Sequence, residues 1–192
     1  FKGKRVIVTG AGRGLGAAFA VVLADAGAEV IMTGRNMENL ASLAGSIKLR
    51  TGKRPETLHI DLADISQVTL TAKKMRDNGT PLDILINNAA IYLPGKGMDT
   101  TSDILEKQFR LNLFAPVLLI REFAAQIPED GQGKVVNISD AKVFRHQADH
   151  FAYRLTKAAI NEMTLMFALE LAPRITVNAI APGVMLPLAG RE

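Results

Sequence analysis

A chain of 192 residues, 48% of them apolar, is long enough for one buried core and too apolar to stay disordered. Its 23 basic and 19 acidic residues leave a formal charge of +4 with no run of five or six like charges, which argues against a nucleic-acid arm and favours an anionic small ligand. The absence of Cys removes disulfides, thiolate nucleophiles and zinc-thiolate sites and fits a reducing, cytoplasmic address, and no apolar run approaches the roughly 20 residues that span a bilayer.

Phe1-Lys2-Gly3-Lys4-Arg5 leads into a strand without a signal-peptide pattern, and the missing initiator Met suggests that a few residues were trimmed. Arg5 to Thr9 is a β-branched run, followed by a glycine turn and an apolar helical stretch from about Leu15 to Ala26 that Gly27 ends. The alternation repeats: strand Glu29 to Thr33, helix Met37 to Arg50, strand Glu56 to Ile60, helix Ile65 to Asn78, strand Leu82 to Ile86. A long helical region covers about Thr101 to Gln126, then a strand from Lys134 to Ile138, a helix from about His150 to Leu171 that stops before Pro173, and a sixth strand from Arg174 to Ala179. Near-continuous apolar strands between helices mean a sheet buried on both faces, and βαβ repetition requires right-handed crossovers. The expected fold is α/β, a Rossmann-type doubly wound parallel sheet with helices on both faces, residues 1–192 forming one nucleotide-binding domain. Ligands of such sheets bind beyond the carboxyl ends of the strands.

Gly10, Gly14 and Gly16 follow the first strand with spacing G-x-x-x-G-x-G and enclose Arg13 and Leu15, so the chain turns tightly and a pyrophosphate can approach a helix N-terminus. This is neither the G-x-G-x-x-G fingerprint nor a P-loop, because Gly14-Leu15-Gly16 lacks the Gly-Lys-Ser or Gly-Lys-Thr ending of a phosphotransferase. After the second strand, where an NAD site carries a carboxylate for the ribose, stands Thr33-Gly34-Arg35-Asn36. Arg35 and Arg13 are placed to grip a 2′-phosphate, so NADP(H) is preferred over NAD(H). Asp61, before Leu62 at the end of the third strand, reads equally as an acceptor for the adenine amino group and as the N-cap of the helix beginning near Ile65. Asn87-Asn88-Ala89-Ala90 follow the fourth strand at the ligand edge, where Asn88 and Ala89 are candidates to meet the cofactor and the Asn pair reads alternatively as satisfying backbone groups at a buried bend. Tyr153 and Lys157 stand one helical turn apart, a proton donor beside a cation.

Taken in order, the Thr9 to Gly16 turn, Asp61-Leu62, Asn87-Asn88-Ala89-Ala90, Asn112, Tyr153 with Lys157, and Pro182-Gly183 resemble the short-chain dehydrogenase/reductase family over essentially the whole chain. The resemblance implies an NAD(P)(H) oxidoreductase in which Tyr153 is the acid/base, Lys157 tunes it and holds the nicotinamide ribose, and Asn112 orders a proton-relaying water. It also implies a homodimer or homotetramer joined partly through the Tyr-bearing helix, whose Met163, Leu165, Met166, Phe167 and Leu169 suit either core or interface. Since the family is usually longer, substrate-covering helices and an edge strand are expected beyond Glu192.

The departure is at the Ser that the family carries thirteen residues before its Tyr, where this chain has Asp140, with Ser139 one position early. Because strand residues alternate faces, Asp140 is the candidate and Ser139 the reserve. An ionised carboxylate cannot polarise a ketone by donating a hydrogen bond. Asp in this place looks like the pteridine reductase branch, where carboxylate and phenol together protonate a ring nitrogen. Tyr92 matches an aromatic that stacks on the pterin there, or else packs on its own loop, and Pro187 replaces a Thr common in the family. Gly14, where pteridine reductases carry a basic residue, and Thr33-Gly34-Arg35-Asn36 resemble a general NADP-dependent carbonyl reductase instead. The expected substrate is a carbonyl or a conjugated C=N or C=O small molecule, with dihydropterins and 3-oxoacyl thioesters as alternatives and a non-catalytic NADP(H)-binding regulator as the other class. Lys142, Arg145, His146, Asp149 and His150 form a polar stretch over the site mouth; no His has metal-ligand spacing, and no metal is expected.

Overall fold

The computed structural model of the chain describes residues 1–77, 82–183 and 185. Six strands, β1 (Arg5–Thr9), β2 (Glu29–Gly34), β3 (Glu56–His59), β4 (Ile84–Asn87), β5 (Gly133–Ile138) and β6 (Ile175–Ile180), form one sheet in the order β3-β2-β1-β4-β5-β6, with every pairing parallel. The strand order reverses between β1 and β4, which opens a crevice at their carboxyl ends.

Period-two alternation along the strands divides the interior into two cores. Ile7, Ile31, Leu85, Val135 and Val177 face α3 (Ile65–Asp77), α5 (Ala115–Gln126) and α6 (Phe151–Leu171), packing with Val68, Leu119, Ile120 and Ile160. Val6, Val8, Val30, Met32, Ile84 and Ile86 face the opposite way, against α1 (Gly14–Asp25) and α2 (Met37–Thr51), where Leu23, Leu40 and Ile47 meet them. Each fully buried aliphatic side chain of this kind contributes roughly 1.5–3 kcal/mol, which explains why the β1 residues are apolar on both faces.

Several boundaries differ from the sequence reading. Pairing in β4 begins at Ile84 opposite Val6, two residues later than expected, because Asp83 is engaged by the Lys4 ammonium and the Arg5 amide, and the Leu82 amide by the Gln126 side chain. Asp64, not Asp61, caps α3 by accepting from the Ser66 and Gln67 amides; Asn78, the expected end of that helix, lies outside the described residues. The expected Thr101 to Gln126 helix is broken into α4 (Ser102–Phe109), a π-turn over Arg110–Phe114, and α5. His150 is not helical: it precedes α6 with a φ of 50°, a left-handed conformation that costs a non-glycine residue. Of the apolar residues on α6, Met163 joins the core, whereas Leu165, Met166 and Leu169 are exposed and Phe167 is half-buried. Among the described residues no helix is long and apolar enough to cross a membrane.

Candidate active site

The carboxyl ends of β1 and β4 are held together by a compact polar staple. Thr9 Oγ1 accepts from the Asn88 and Ala89 amides (2.9 and 3.1 Å) and donates to the Ile86 carbonyl, while Asn88 Nδ2 donates to the carbonyls of Thr9 and Gly10. Gly10 has φ of 65°, and a Cβ there would come within 2.9 Å of Ala89 Cα. A Cβ on Gly16 would collide with the Gly10 carbonyl and lie 2.5 Å from Asn88 Nδ2. Only glycine at both positions allows the first turn of α1 to close onto the strand ends.

Against this turn lies a cavity of about 590 Å³, lined by the residues of the glycine turn including Arg13, Gly14 and Leu15, and by Arg35, Asn39, Leu62, Ala89 and Ile91. Two arginines and no carboxylate line it, so its electrostatic character is that of a polyanion site. Arg13 and Arg35 are exposed and have no ion-pair partner among the described residues. The Asp61 carboxylate accepts from the Ala63 amide at 3.0 Å, beside the cavity-lining Ile60 and Leu62. Both the space and the charge at this end suit a dinucleotide carrying an additional phosphate.

The second half of the site is built on α6. Tyr153 and Lys157 are both buried there, one turn apart. Asn112, in the π-turn, accepts from the Ile91 amide at 2.9 Å and donates to the Ile91 carbonyl at 3.0 Å and to Thr156 Oγ1 at 3.1 Å; Thr156 in turn donates to the Tyr153 carbonyl. One amide thus ties the wall of the nucleotide cavity to the helix carrying the Tyr. Nothing in the sequence singles out Thr156, although its place three residues after Tyr153 puts it on the same helical face.

The Tyr153 hydroxyl donates to Asp140 Oδ2 at 2.8 Å. Asp140 also caps the 3₁₀ turn Ala141–Phe144 through Oδ1 and the Lys142 amide. Ser139 is separated from this pair: it is buried, its amide donates to the Ile180 carbonyl, and its hydroxyl has no partner among the described residues. The Lys157 ammonium donates to the Ile138 carbonyl at 2.6 Å and lies 5.7 Å from the centre of the Tyr153 ring. Burial pushes the Lys157 amine down to about 8, against the raising effect of Asp140. Burial, and then the hydrogen bond and charge of Asp140, push the Tyr153 phenol above its usual value. The phenol thus answers first to desolvation and to a carboxylate, while the ammonium is drawn to a backbone carbonyl.

Tyr92 lies beside this pair. Its ring meets the Tyr153 ring edge-on at 4.7 Å and stacks on the His150 imidazole at 3.8 Å with an interplanar angle of 9°, and its hydroxyl accepts from Lys142 Nζ at 2.5 Å. It packs on residues distant in sequence, not on its own loop. His150 Nδ1 is 2.9 Å from Asp149 Oδ2; His146 is exposed and has no hydrogen-bond partner among the described residues. Pro182 accepts from the Ala141 amide at 2.9 Å, placing Pro182-Gly183 against the turn that carries Asp140, while Pro187 lies outside the described residues. No group of three His, Asp or Glu able to hold a metal occurs among the described residues.

A glycine turn at the switch point of a parallel sheet, facing a buried Tyr and Lys on a neighbouring helix, defines a dinucleotide-binding oxidoreductase. The sequence pattern of the short chain dehydrogenase family matches residues 4–189, and the chain belongs to that family. Among its relatives, L-xylulose reductase of Mesocricetus auratus is 35% identical over 98% of this chain and 75% of its own. The crystal structure of FolM alternative dihydrofolate reductase 1 from Brucella suis, in complex with NADP, is 33% identical with a TM-score of 0.88, covering 96% of this chain and 77% of that one. A protein of Escherichia coli CFT073 complexed with NADPH is 27% identical with a TM-score of 0.88, covering 95% of this chain and 78% of that one.

Proposed function

We propose that this protein is an NADP(H)-dependent reductase in which Tyr153, oriented by Asp140, delivers a proton to a flat, conjugated C=N or C=O substrate of the dihydropterin type. The hydrogen bond from the Tyr153 hydroxyl to Asp140 carries this reading, since it places a carboxylate where the family usually has a Ser. When bound, NADPH supplies hydride to the substrate carbon; the proton leaving Tyr153 completes the reduction at the adjoining nitrogen or oxygen. Asp140 fixes the hydroxyl rotor, and burial together with Asp140 keeps the phenol protonated before the reaction. Tyr92, stacked on His150 and edge-on to Tyr153, sets an aromatic group beside the reacting hydroxyl, which supports a ring-shaped substrate. The FolM likeness supports this branch, whereas L-xylulose reductase among the relatives supports a second reading, reduction of a ketose carbonyl.

The deciding experiment measures NADPH oxidation with a dihydropterin, a quinone, a diketone, a β-ketoacyl thioester and a ketose, for the wild type and for Asp140→Ala and Asp140→Ser. On a dihydropterin, Asp140→Ala is expected to lower kcat by on the order of 10²-fold. Full turnover by Asp140→Ala on every accepted substrate would remove Asp140 from the reaction. A gain by Asp140→Ser on the ketose alone would move the substrate to the second reading.

For the cofactor, Arg13 and Arg35 are assigned to the 2′-phosphate, the other cavity residues to the pyrophosphate and adenosine, and Tyr153, Lys157, Pro182 and Gly183 to the nicotinamide end. Arg35→Asp is expected to raise the KM for NADPH roughly 10- to 100-fold, the worth of one charge-assisted hydrogen bond, with little change for NADH. An unchanged NADPH constant in that variant, or a tenfold preference of the wild type for NADH, would contradict the assignment.

A further inference from the structure

We infer that Arg154 is the positioning residue of the proton-delivery pair, because its guanidinium fastens the turn that carries Asp140 to the helix that carries Tyr153. The inference rests on the proposed role of Asp140. Arg154 follows Tyr153 on α6, and its Nη2 donates to the Lys142 carbonyl at 2.7 Å and to the Arg145 carbonyl. Those carbonyls belong to the turn that Asp140 caps, in which the Val143 amide donates to the Asp140 carbonyl and the Arg145 amide to that of Lys142. Anything that moves the turn therefore moves Asp140 relative to the Tyr153 hydroxyl. The same turn bears Lys142, whose ammonium holds the Tyr92 hydroxyl, so the guanidinium also governs where the Tyr92 ring stands.

Two further observations favour position over bulk stability. Arg154 has no carboxylate partner among the described residues, and its Nη1 is buried with no hydrogen-bond partner among them. A half-buried cation satisfied only by neutral carbonyls is a costly way to stabilise a fold, but a single Nη2 group fixed in the guanidinium plane is well suited to holding two carbonyls of one turn at a set separation. Between Asp140 and α6 the chain forms no strand or α-helix of its own, so such bonds decide where the turn lies.

The test is a double-mutant cycle on the purified protein with NADPH and the best dihydropterin substrate, using Arg154→Ala, Arg154→Lys, Asp140→Asn and the double variants, with melting temperature followed throughout. Arg154→Ala is expected to lower kcat on the order of 10- to 100-fold, the cost of a misplacement near 1 Å, with the KM for NADPH unchanged. Arg154→Lys should restore little, since the shorter, strongly hydrated ammonium keeps the charge but not a planar donor that reaches both carbonyls. In the Asp140→Asn background, Arg154→Ala should cost less than about threefold, because the two residues act as a unit. Equal losses in both backgrounds, or full rescue by Lys, would overturn the inference while leaving Asp140 in place. Full turnover by Asp140→Asn alone would overturn the parent reading and this one together. Should Arg154→Ala not fold, Arg154→Gln takes its place in the cycle, and the comparison between the two backgrounds decides in the same way.

Discussion

Tyr153→Phe is expected to reduce kcat with NADPH by about 10²- to 10⁴-fold, the range for losing a positioned general acid. The substitution removes one oxygen and nothing else that holds the site. The ring that meets Tyr92 edge-on remains, as does the backbone carbonyl that accepts from Thr156. NADPH binding should weaken only by the one contact assigned to the Tyr153 hydroxyl at the nicotinamide end, because the cavity of the glycine turn is lined by other residues. Asp140 keeps its bond to the Lys142 amide and loses only the phenol, so the fold should soften by about 1 kcal/mol at most. Steady-state rates with NADPH titration by fluorescence check both halves. A kcat loss below tenfold would mean that the proton comes from elsewhere, and weakened NADPH binding without a kcat loss would make Tyr153 a binding residue.

The second large effect concerns Lys157 and has opposite signs for activity and stability. Lys157→Met is expected to cost at least tenfold in turnover, by removing the cation placed over the Tyr153 ring, yet to raise the melting temperature near pH 7. The amine is 3% exposed, and burial pushes it from its usual 10.5 to about 8. The folded state therefore binds its proton more weakly than the unfolded chain does, and the charged form costs on the order of 3 kcal/mol. Leaving the Ile138 carbonyl without its donor returns about 1–2 kcal/mol of that gain. A net of on the order of 1–2 kcal/mol corresponds to roughly 2–8 °C for a chain of this size. For a depressed folded value the cost is fully present below about pH 8 and disappears as the pH rises towards 10.5, so the advantage of the variant should shrink across that window. Melting curves from pH 6 to 11 test this. A variant that melts below the wild type at pH 7, or by a constant margin across pH 8 to 10.5, would show that the buried amine carries no such cost.

Much of this arrangement is legible in the chain itself, for reasons tied to particular residues. β1 declares itself because Val6, Ile7 and Val8 must be apolar on both faces, and the glycine spacing declares its turn because Gly10 and Gly16 have no room for a Cβ. Asp140 is found by counting back from Tyr153 by the spacing that the family resemblance implies, and its carboxylate does meet the Tyr153 hydroxyl. The break in the Thr101 to Gln126 helix is not legible: the apolar pattern continues through Leu111, Leu113 and Phe114, and Pro116 fits the first turn of α5. From sequence Asp61 is read as a cap, and only the path of the chain brings Asp64 to that place instead. Arg154 leaves no signal and Lys142 shows only as one of a polar stretch, since a side chain bonded to a distant carbonyl or hydroxyl follows no periodicity. The rise in the Tyr153 phenol is likewise hidden, because it depends on which of two neighbours the hydroxyl reaches.

The π-turn over Arg110–Phe114 has a consequence for how this protein can change. A π-turn is in effect one surplus residue accommodated without unwinding the helix, and each residue of an α-helix turns the chain by about 100°. Deleting a single residue there would leave a smooth helix whose two halves kept their register, but the residues of the bulge would each take a new place on its surface. Asn112 would then lose its place against Ile91 and Thr156, and with it the tie between the cavity wall and α6. Substitutions can tune this stretch, but its length is locked: the site tolerates new letters between Phe109 and Ala115 far more readily than it tolerates one fewer.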